Sequence, residues 1–520
     1  MDLKNLEDKN NMPSDNNKRI AKNTMYLYLR MLVVMAVSLF TVRVVLNALG
    51  AEDYGINNVV GGVVTMFSFL TSTMISASQR FFAFYLGQKD YKKLADYFSM
   101  SFWCYLGLIV IVFILAETLG LWFVKTQLTI PEERMGAAMW VYQCSIVSFS
   151  FSILTIPFNS MIIAREKMNI YAIGGLLEVF LKLGVAYLIF ISPFDKLKAY
   201  AVLLSLMMSS TNVFYILYGY KKFSECHVKK IWDVIIFKDV VNYSGWSLFG
   251  AIAGVFRSQG INILLNMFFN PVVNAARAIA YQVNNALNLF VTNFYKAVQP
   301  QITKYYAAGD QDNMMTLVFR SSRFCFYLIF LLSLPILLET PFILSTWLKT
   351  VPENTVLFTR LVILTAIVDS TSYPLQSSIS ATGRIKYFQI VTGGLLILNL
   401  PIAWFFLNMG YPPEVTMYIA ITISCIAQIT RILFSKHYNN MSVRAYLKNV
   451  VLPIIAVIVT SMVVPLFLWI RMEEGMLRML VVGIASIMFS GVCIMLLGVT
   501  KPERTIFINI VKNKTPWKKK

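Results

Sequence analysis

The chain has 520 residues, 57% of them hydrophobic and only 14% charged, with a mean hydropathy of +0.63. A water-soluble domain carries roughly 45–50% apolar and ~25% charged residues, so bulk water is excluded as the main solvent. The formal charge is +20; the six cysteines show no CxxC or metal-type spacing and there are only two histidines, which argues against a disulfide framework and a metal site.

Residues 1–23 are polar and lack the apolar core and small-residue cleavage site of a signal peptide, so they are expected to form a cytosolic N-terminal tail. From there on, apolar runs recur with short polar gaps. A bilayer core about 30 Å thick needs ~20 mostly apolar residues per helix, and the predicted spans are 24–48, 57–86, 98–123, 136–163, 170–191, 199–218, 240–268, 276–302, 316–343, 357–382, 387–407, 415–434, 450–470 and 476–497. The fold class is therefore an all-α polytopic membrane protein with about fourteen transmembrane helices. With the N-terminus in the cytosol, the cytosolic segments hold 28 Lys and Arg and the opposite loops far fewer. This positive-inside asymmetry accounts for most of the net charge without nucleic acid, and both termini are expected in the cytosol. His227 and His437 fall in basic cytosolic loops, and the Lys-rich C-terminal end is suited to anionic lipid.

An internal repeat emerges at an offset near 219. Gly174-Gly175-Leu176-Leu177 falls on Gly393-Gly394-Leu395-Leu396, Pro157 near Pro374, Arg165 on Arg384, Leu46-Asn47 on Leu265-Asn266, and Tyr85–Asp90 near Tyr306–Asp310. The expected domains are an N-terminal six-helix lobe at 24–218, a cytosolic interlobe linker at 219–239, a C-terminal six-helix lobe at 240–434, a cytosolic loop at 435–449, two further helices at 450–497 and a basic cytosolic tail at 498–520. An even number of spans per repeat keeps both lobes in one orientation, pseudo-symmetric about the membrane normal and flanking a central cavity where alternating access can operate.

In the eighth span, Asn285, Asn288, Thr292, Lys296 and Gln299 keep to one helical face, and a shift of 220 lays Thr65, Ser68, Ser72, Ser76 and Gln79 of the second span on the same positions. Small polar residues of this kind also serve helix packing. Bulky Asn, Lys and Gln at membrane depth favour a water- or ligand-filled cavity, because an ionisable group at a helix centre costs at least ~2.5–3.5 kcal/mol. Most ionisable residues at depth are cationic. Arg257 is central in the seventh span and Lys296 lies in the inner half of the eighth, with Arg30, Arg43, Arg80 and Arg277 nearer span ends, where snorkelling is the competing explanation. The acids are Glu178 and Asp369, with Glu117 and Glu339 towards outer ends. Glu178 and Lys182 are spaced i, i+4 and can pair on one helix face. Glu178, Lys182 and Asp369 are the candidates for ion coupling, no bound cofactor is expected, and a proton or sodium gradient is the candidate energy source.

A polar, net-cationic cavity suits an anionic, hydrogen-bonding cargo such as a lipid-diphosphate-linked sugar, with the diphosphate on the cations and the hydroxyls on the polar stripe. The opening from Asn23, the LGAEDYGI stretch at 49–56 and AVQPQITKYYAAGDQD at 297–312 resemble the polysaccharide flippases of the multidrug/oligosaccharidyl-lipid/polysaccharide export (MATE-like) superfamily, over nearly the whole chain. The resemblance implies a transporter of a polyprenyl-diphosphate-linked oligosaccharide, an O-antigen, capsule or exopolysaccharide repeat unit, from inner to outer leaflet of the bacterial inner membrane. It also implies polysaccharide-assembly proteins as further candidate partners beside the lipid bilayer. A multidrug exporter or a lipid-linked peptidoglycan precursor flippase are the alternatives. A membrane enzyme acting on the same lipid is disfavoured by external loops of only about a dozen residues and by the lack of nucleotide, Walker or nucleophile motifs.

Overall fold

The computed structural model describes residues 3–65, 67–126, 130–255, 257, 260–269, 271–348 and 351–505; within these, the side chains of 3–18, 39, 42, 43, 46, 51, 52, 54, 55, 58, 59, 65, 69, 70, 255, 263, 266, 271, 272, 274 and 275 lie outside the described set, as does most of the predicted basic tail, 506–520. Among the described residues the chain is all helix, without strands. The helices are α1 (Leu3–Thr65), α2 (Ser68–Gln88), α3 (Tyr91–Leu115), α4 (Leu121–Thr126), α5 (Glu132–Ala164), α6 (Met168–Leu188), α7 (Lys196–Lys222), α8 (Val234–Val255), α9 (Ile261–Phe268) and α10 (Pro271–Ala307). They continue as α11 (Gln311–Leu338), α12 (Thr340–Leu348), α13 (Thr355–Ser370), α14 (Ser372–Ala381), α15 (Lys386–Asn408), α16 (Val415–Asn439), α17 (Val443–Tyr446), α18 (Leu452–Arg471) and α19 (Met476–Cys493).

Eleven helical stretches among the described residues are long and apolar enough to cross a membrane, which makes this a multi-pass membrane protein. The other three predicted spans, 57–86, 240–268 and 276–302, fall on α1–α2, α8–α9 and α10. These are helical as well, but interrupted in the first two cases and rich in Asn, Gln and Lys in the third. The long α1 is really two helices meeting at Gly50, whose φ of 81° and ψ of 169° suit a residue without Cβ.

The chain divides into two compact units, Met1–Ile252 with Lys296–Asp310, and Ala253–Tyr295 with Gln311–Lys520. In the first, α5 packs along α7, with α1, α2, α3 and α6 around the pair. Its core includes Val60, Val141, Tyr142, Ile146 and Leu197, and Ser148 and Ser205 share a 2.9 Å hydrogen bond between α5 and α7, a polar contact typical of membrane helix packing. Arg134, at the start of α5, forks onto Asp53 of the LGAEDYGI stretch (2.5 and 2.8 Å) and reaches Asp195, the N-cap of α7, at 2.6 Å. Burial alone would push the Asp195 carboxyl up, but hydrogen bonds from Arg134 and the Lys198 N–H hold it below the usual carboxylate range.

In the second unit α18 pairs with α19, α15 with α16, and α11 with α13 and α19. The link from α11 to α19 is ionic as well as apolar. Arg478 meets Glu339, which is fully buried, at 2.9 Å, and Arg323 meets Glu503 at 2.7 Å while the Tyr327 hydroxyl donates to the Gly498 carbonyl at 3.0 Å.

Two connections share local geometry at the predicted repeat positions. After α2, Lys89 is left-handed (φ 59°), the Asp90 N–H donates to the Tyr85 carbonyl at 3.1 Å, and Asp90 caps α3. After α10, Gly309 is left-handed (φ 73°) and the Asp310 N–H donates to the Tyr305 carbonyl at 3.0 Å. Both helices thus end in the same left-handed closing turn.

Candidate functional site

In the first unit, α6 supplies the centre. Gly174 and Gly175 form a notch near its start: a Cβ on Gly174 would strike the Tyr215 ring, and one on Gly175 the Arg30 guanidinium. The notch lets both side chains lie close to α6, where the Tyr215 hydroxyl donates to the Tyr171 carbonyl at 3.1 Å. Arg30, from α1, lies 4.7 Å from the Tyr171 ring centroid. Lys296, from the C-terminal part of α10, lies 4.3 Å from the same centroid and donates to the Tyr171 hydroxyl at 2.9 Å. Two cations therefore converge on one phenol. Among the described residues neither has a carboxylate within ion-pair distance, although Glu178 acts on Tyr171 and Tyr215 from further off. A cation on an aromatic face gains ~0.5–2 kcal/mol without losing its charge, so the cluster stays net positive.

The other ion pairs of this unit are different. Glu166, buried and left-handed at φ 58°, accepts from Gln301 at 2.6 Å, from Lys304, and pairs with Arg19 at 3.2 Å. Arg165 pairs with Glu225 and lies over the Phe223 ring. A non-glycine residue in the left-handed region costs ~1–2 kcal/mol, which the buried ionic net around Glu166 offsets.

The predicted second-span stripe is only partly continuous. Ser68, Ser72, Ser76 and Gln79 lie on α2, with Ser68 and Ser72 exposed and Gln79 half-buried, whereas Thr65 ends α1 on the far side of a break. The shared helical period therefore stops at Ser68. Arg80 sits among rings, 4.6 Å from Phe81, 5.2 Å from Phe84 and 5.6 Å from Tyr243. Glu178 and Lys182 form no ion pair with each other; Lys182 is exposed, whereas Glu178 is half-buried near the two tyrosines. The i, i+4 spacing allowed that pair, but the packing of Tyr171 and Tyr215 beside Glu178 gives its carboxylate other neighbours.

In the second unit, α10 carries Asn285, Asn288 and Thr292 on an unbroken helix. Asn288 donates to Asn284 Oδ1 at 2.8 Å and Thr292 to the Asn288 carbonyl at 2.9 Å. Asn285 is exposed, and Gln299, further along and within the first unit, is half-buried. Arg277 is buried, donates to Asn262 and lies 4.4 Å from the Tyr281 centroid. Arg257 donates to the Ser424 hydroxyl at 2.8 Å and faces Asp369 at 3.7 Å. Ser424 in turn donates to Asp369 at 3.3 Å, and Arg431 faces the same carboxylate at 3.9 Å while donating to Ser372 at 2.8 Å. Sequence reasoning missed Tyr171, Arg431 and Glu166. Arg431 was open to detection as a further cation inside an apolar run; for the other two only the adjacent glycine pair and the basic surroundings gave a sign.

No protein-family model and no curated protein matches the sequence. Solved structures do match. MATE in the bent conformation superposes with a TM-score of 0.71 at 13% identity, over 82% of this chain and 96% of that one. The fold is that of a MATE transporter. An outward-facing multidrug resistance MATE family transporter of the MOP superfamily gives a TM-score of 0.69 at 14% identity, over 81% of this chain and 96% of that one. A MOP superfamily transporter from Pyrococcus furiosus, described as having a binding pocket of reversed polarity that suggests a different function, gives 0.69 at 12% identity, over 82% and 96%. The MATE fold thus accounts for about four-fifths of this chain.

Proposed function

We propose that this protein is a transporter that moves a lipid-diphosphate-linked oligosaccharide, an O-antigen, capsule or exopolysaccharide repeat unit, from the inner to the outer leaflet of the bacterial inner membrane. Access alternates between the six-helix repeats 24–218 and 240–434, with both termini in the cytosol and a proton or sodium gradient as the energy source. The observation that carries this reading is the convergence of Arg30 and Lys296 on Tyr171, with no carboxylate within ion-pair distance of either among the described residues. Cations stabilised by a ring keep their charge for a ligand, and phosphate oxygens are their natural partners. A cargo that is itself cationic would be repelled by this cluster. Reversed pocket polarity, suggesting a different function, is also described for the MOP superfamily transporter from Pyrococcus furiosus, so the MATE fold is compatible with a cavity of either sign.

The sidedness of lipid-linked oligosaccharide in cells lacking the protein tests the proposal. Accumulation on the cytosolic leaflet is expected, reversed by wild type and not by Arg257→Ala or Lys296→Ala proteins of normal membrane abundance. Normal outer-leaflet appearance with new drug sensitivity would replace this reading with multidrug export.

A further inference from the structure

The second unit places two guanidinium groups around one carboxylate, loosely. Arg257 and Arg431 stand 3.7 and 3.9 Å from Asp369, beyond the 2.7–2.9 Å typical of a charge-assisted hydrogen bond. Each arginine is instead anchored by a hydroxyl, Arg257 by Ser424 and Arg431 by Ser372, both at 2.8 Å. Ser372 is fixed further by Gln428, at 2.5 Å. Arg431 is therefore positioned independently of the acid, whereas Ser424, which holds Arg257, also donates to Asp369 at 3.3 Å. Among the described residues Asp369 Oδ1, itself buried, accepts no hydrogen bond, and the Asp369 side chain as a whole is 30% exposed, more than Arg257 (20%) or Arg431 (11%). One negative charge between two positive ones leaves the group at net +1.

We infer that Asp369 is a built-in counter-ion, occupying an anion subsite formed by Arg257 and Arg431 that takes a phosphate-type group of the cargo once the carboxylate is displaced. This inference rests on the lipid-diphosphate reading above and adds Arg431 to it. The alternative, a structural ion pair, would draw the carboxylate into direct hydrogen bonds with both arginines, because at short range that geometry is the stronger one. Here the carboxylate holds the cations in the membrane interior while the site is empty, where an uncompensated pair would be strongly disfavoured.

A carboxylate that occupies the same cations competes with the cargo for them, so removing its charge favours cargo binding. The groups facing Asp369 are Arg257, from the stretch between α8 and α9, Arg431 and Ser424 from α16, and Tyr373 from α14, with Cys325 of α11 beyond Tyr373. Arg320 and Arg323 of α11 are engaged by Glu503.

The test measures binding of a short-chain prenyl-diphosphate monosaccharide to the purified full-length protein in detergent. The diphosphate of this probe is esterified at both ends, so its charge does not change across the neutral range. Asp369→Asn is expected to bind about tenfold more tightly than wild type, and Arg431→Gln at least tenfold more weakly. Equal or weaker binding by a folded Asp369→Asn protein would overturn the inference. If that variant does not fold, probe affinity left unchanged by Arg431→Gln overturns it instead. Binding that needs Arg30 and Lys296 but is indifferent to Asp369 and Arg431 would remove the counter-ion and leave the cargo reading standing. Absence of probe binding by wild type would overturn both.

Discussion

The two compact units hold their central pairs of cations differently, although Arg277 of the second also rests on a ring, that of Tyr281. In the first, Arg30 and Lys296 share the face and hydroxyl of Tyr171, and no carboxylate neutralises them among the described residues. In the second, Arg257 and Arg431 stand around Asp369. A ring attracts a cation through its quadrupole and leaves the full charge in place, whereas a carboxylate cancels one unit of it. The contrast is sharper because the first unit does use carboxylates elsewhere: Arg134, Arg165 and Lys304 all have acidic partners. Where a cation has a structural task this unit pairs it with an acid, and where the charge is to stay available it supplies an aromatic ring.

Substitutions can break or sharpen that contrast. The largest effect is expected at Glu166, because Glu166→Gln removes the buried carboxylate that holds Lys304 and the more exposed Arg19. Removing one partner of a buried pair costs ~3–5 kcal/mol, so thermal unfolding in detergent should shift markedly downward; an unchanged Tm would mean that carboxylate-held cations are not the structural ones. Next comes Tyr171→Phe, which keeps the ring and removes the hydroxyl that receives Lys296. A hydrogen bond to a charged group is worth ~1.5–3 kcal/mol, and transport should drop roughly tenfold or more at unchanged membrane abundance. Tyr171→Ala, which removes the ring under both cations, should drop it further. If the two variants transport equally, the ring contributes nothing.

The smallest effect concerns Asp195. Its carboxyl is held below the usual range in the folded protein, so it adds stability above the ordinary carboxylate value near ~3.9. That contribution is lost as pH falls through the depressed value. The Tm gap between wild type and Asp195→Asn should accordingly narrow towards strongly acid pH. A gap that widens there would show that the Arg134 pairing does not govern this carboxyl.

Much of the architecture was legible in the amino-acid order because its causes are local. Apolar runs of sufficient length become membrane helices wherever backbone groups must be satisfied without water, and the stripe from Asn285 to Gln299 lies on one helix because 3.6-residue periodicity needs no tertiary knowledge. The repeated closing turns at Lys89–Asp90 and Gly309–Asp310 were visible as a motif for the same reason. Periodicity failed where a helix breaks, as between Thr65 and Ser68, and where spacing alone proposed a partner, as for Glu178 and Lys182.

What the sequence by itself determined, then, is which segments are helical and which are long and apolar enough to cross a membrane. Only the tertiary structure decided how the interior charges are held. Tyr171 and Lys296 are 125 residues apart, and Asp369 meets Arg257 and Arg431 from three separate stretches of chain. Such meetings depend on the register and rotation of one helix against another, set by packing such as the glycine notch at Gly174 and Gly175. Interaction across a few ångströms, unlike helical period, leaves no fixed spacing in the chain.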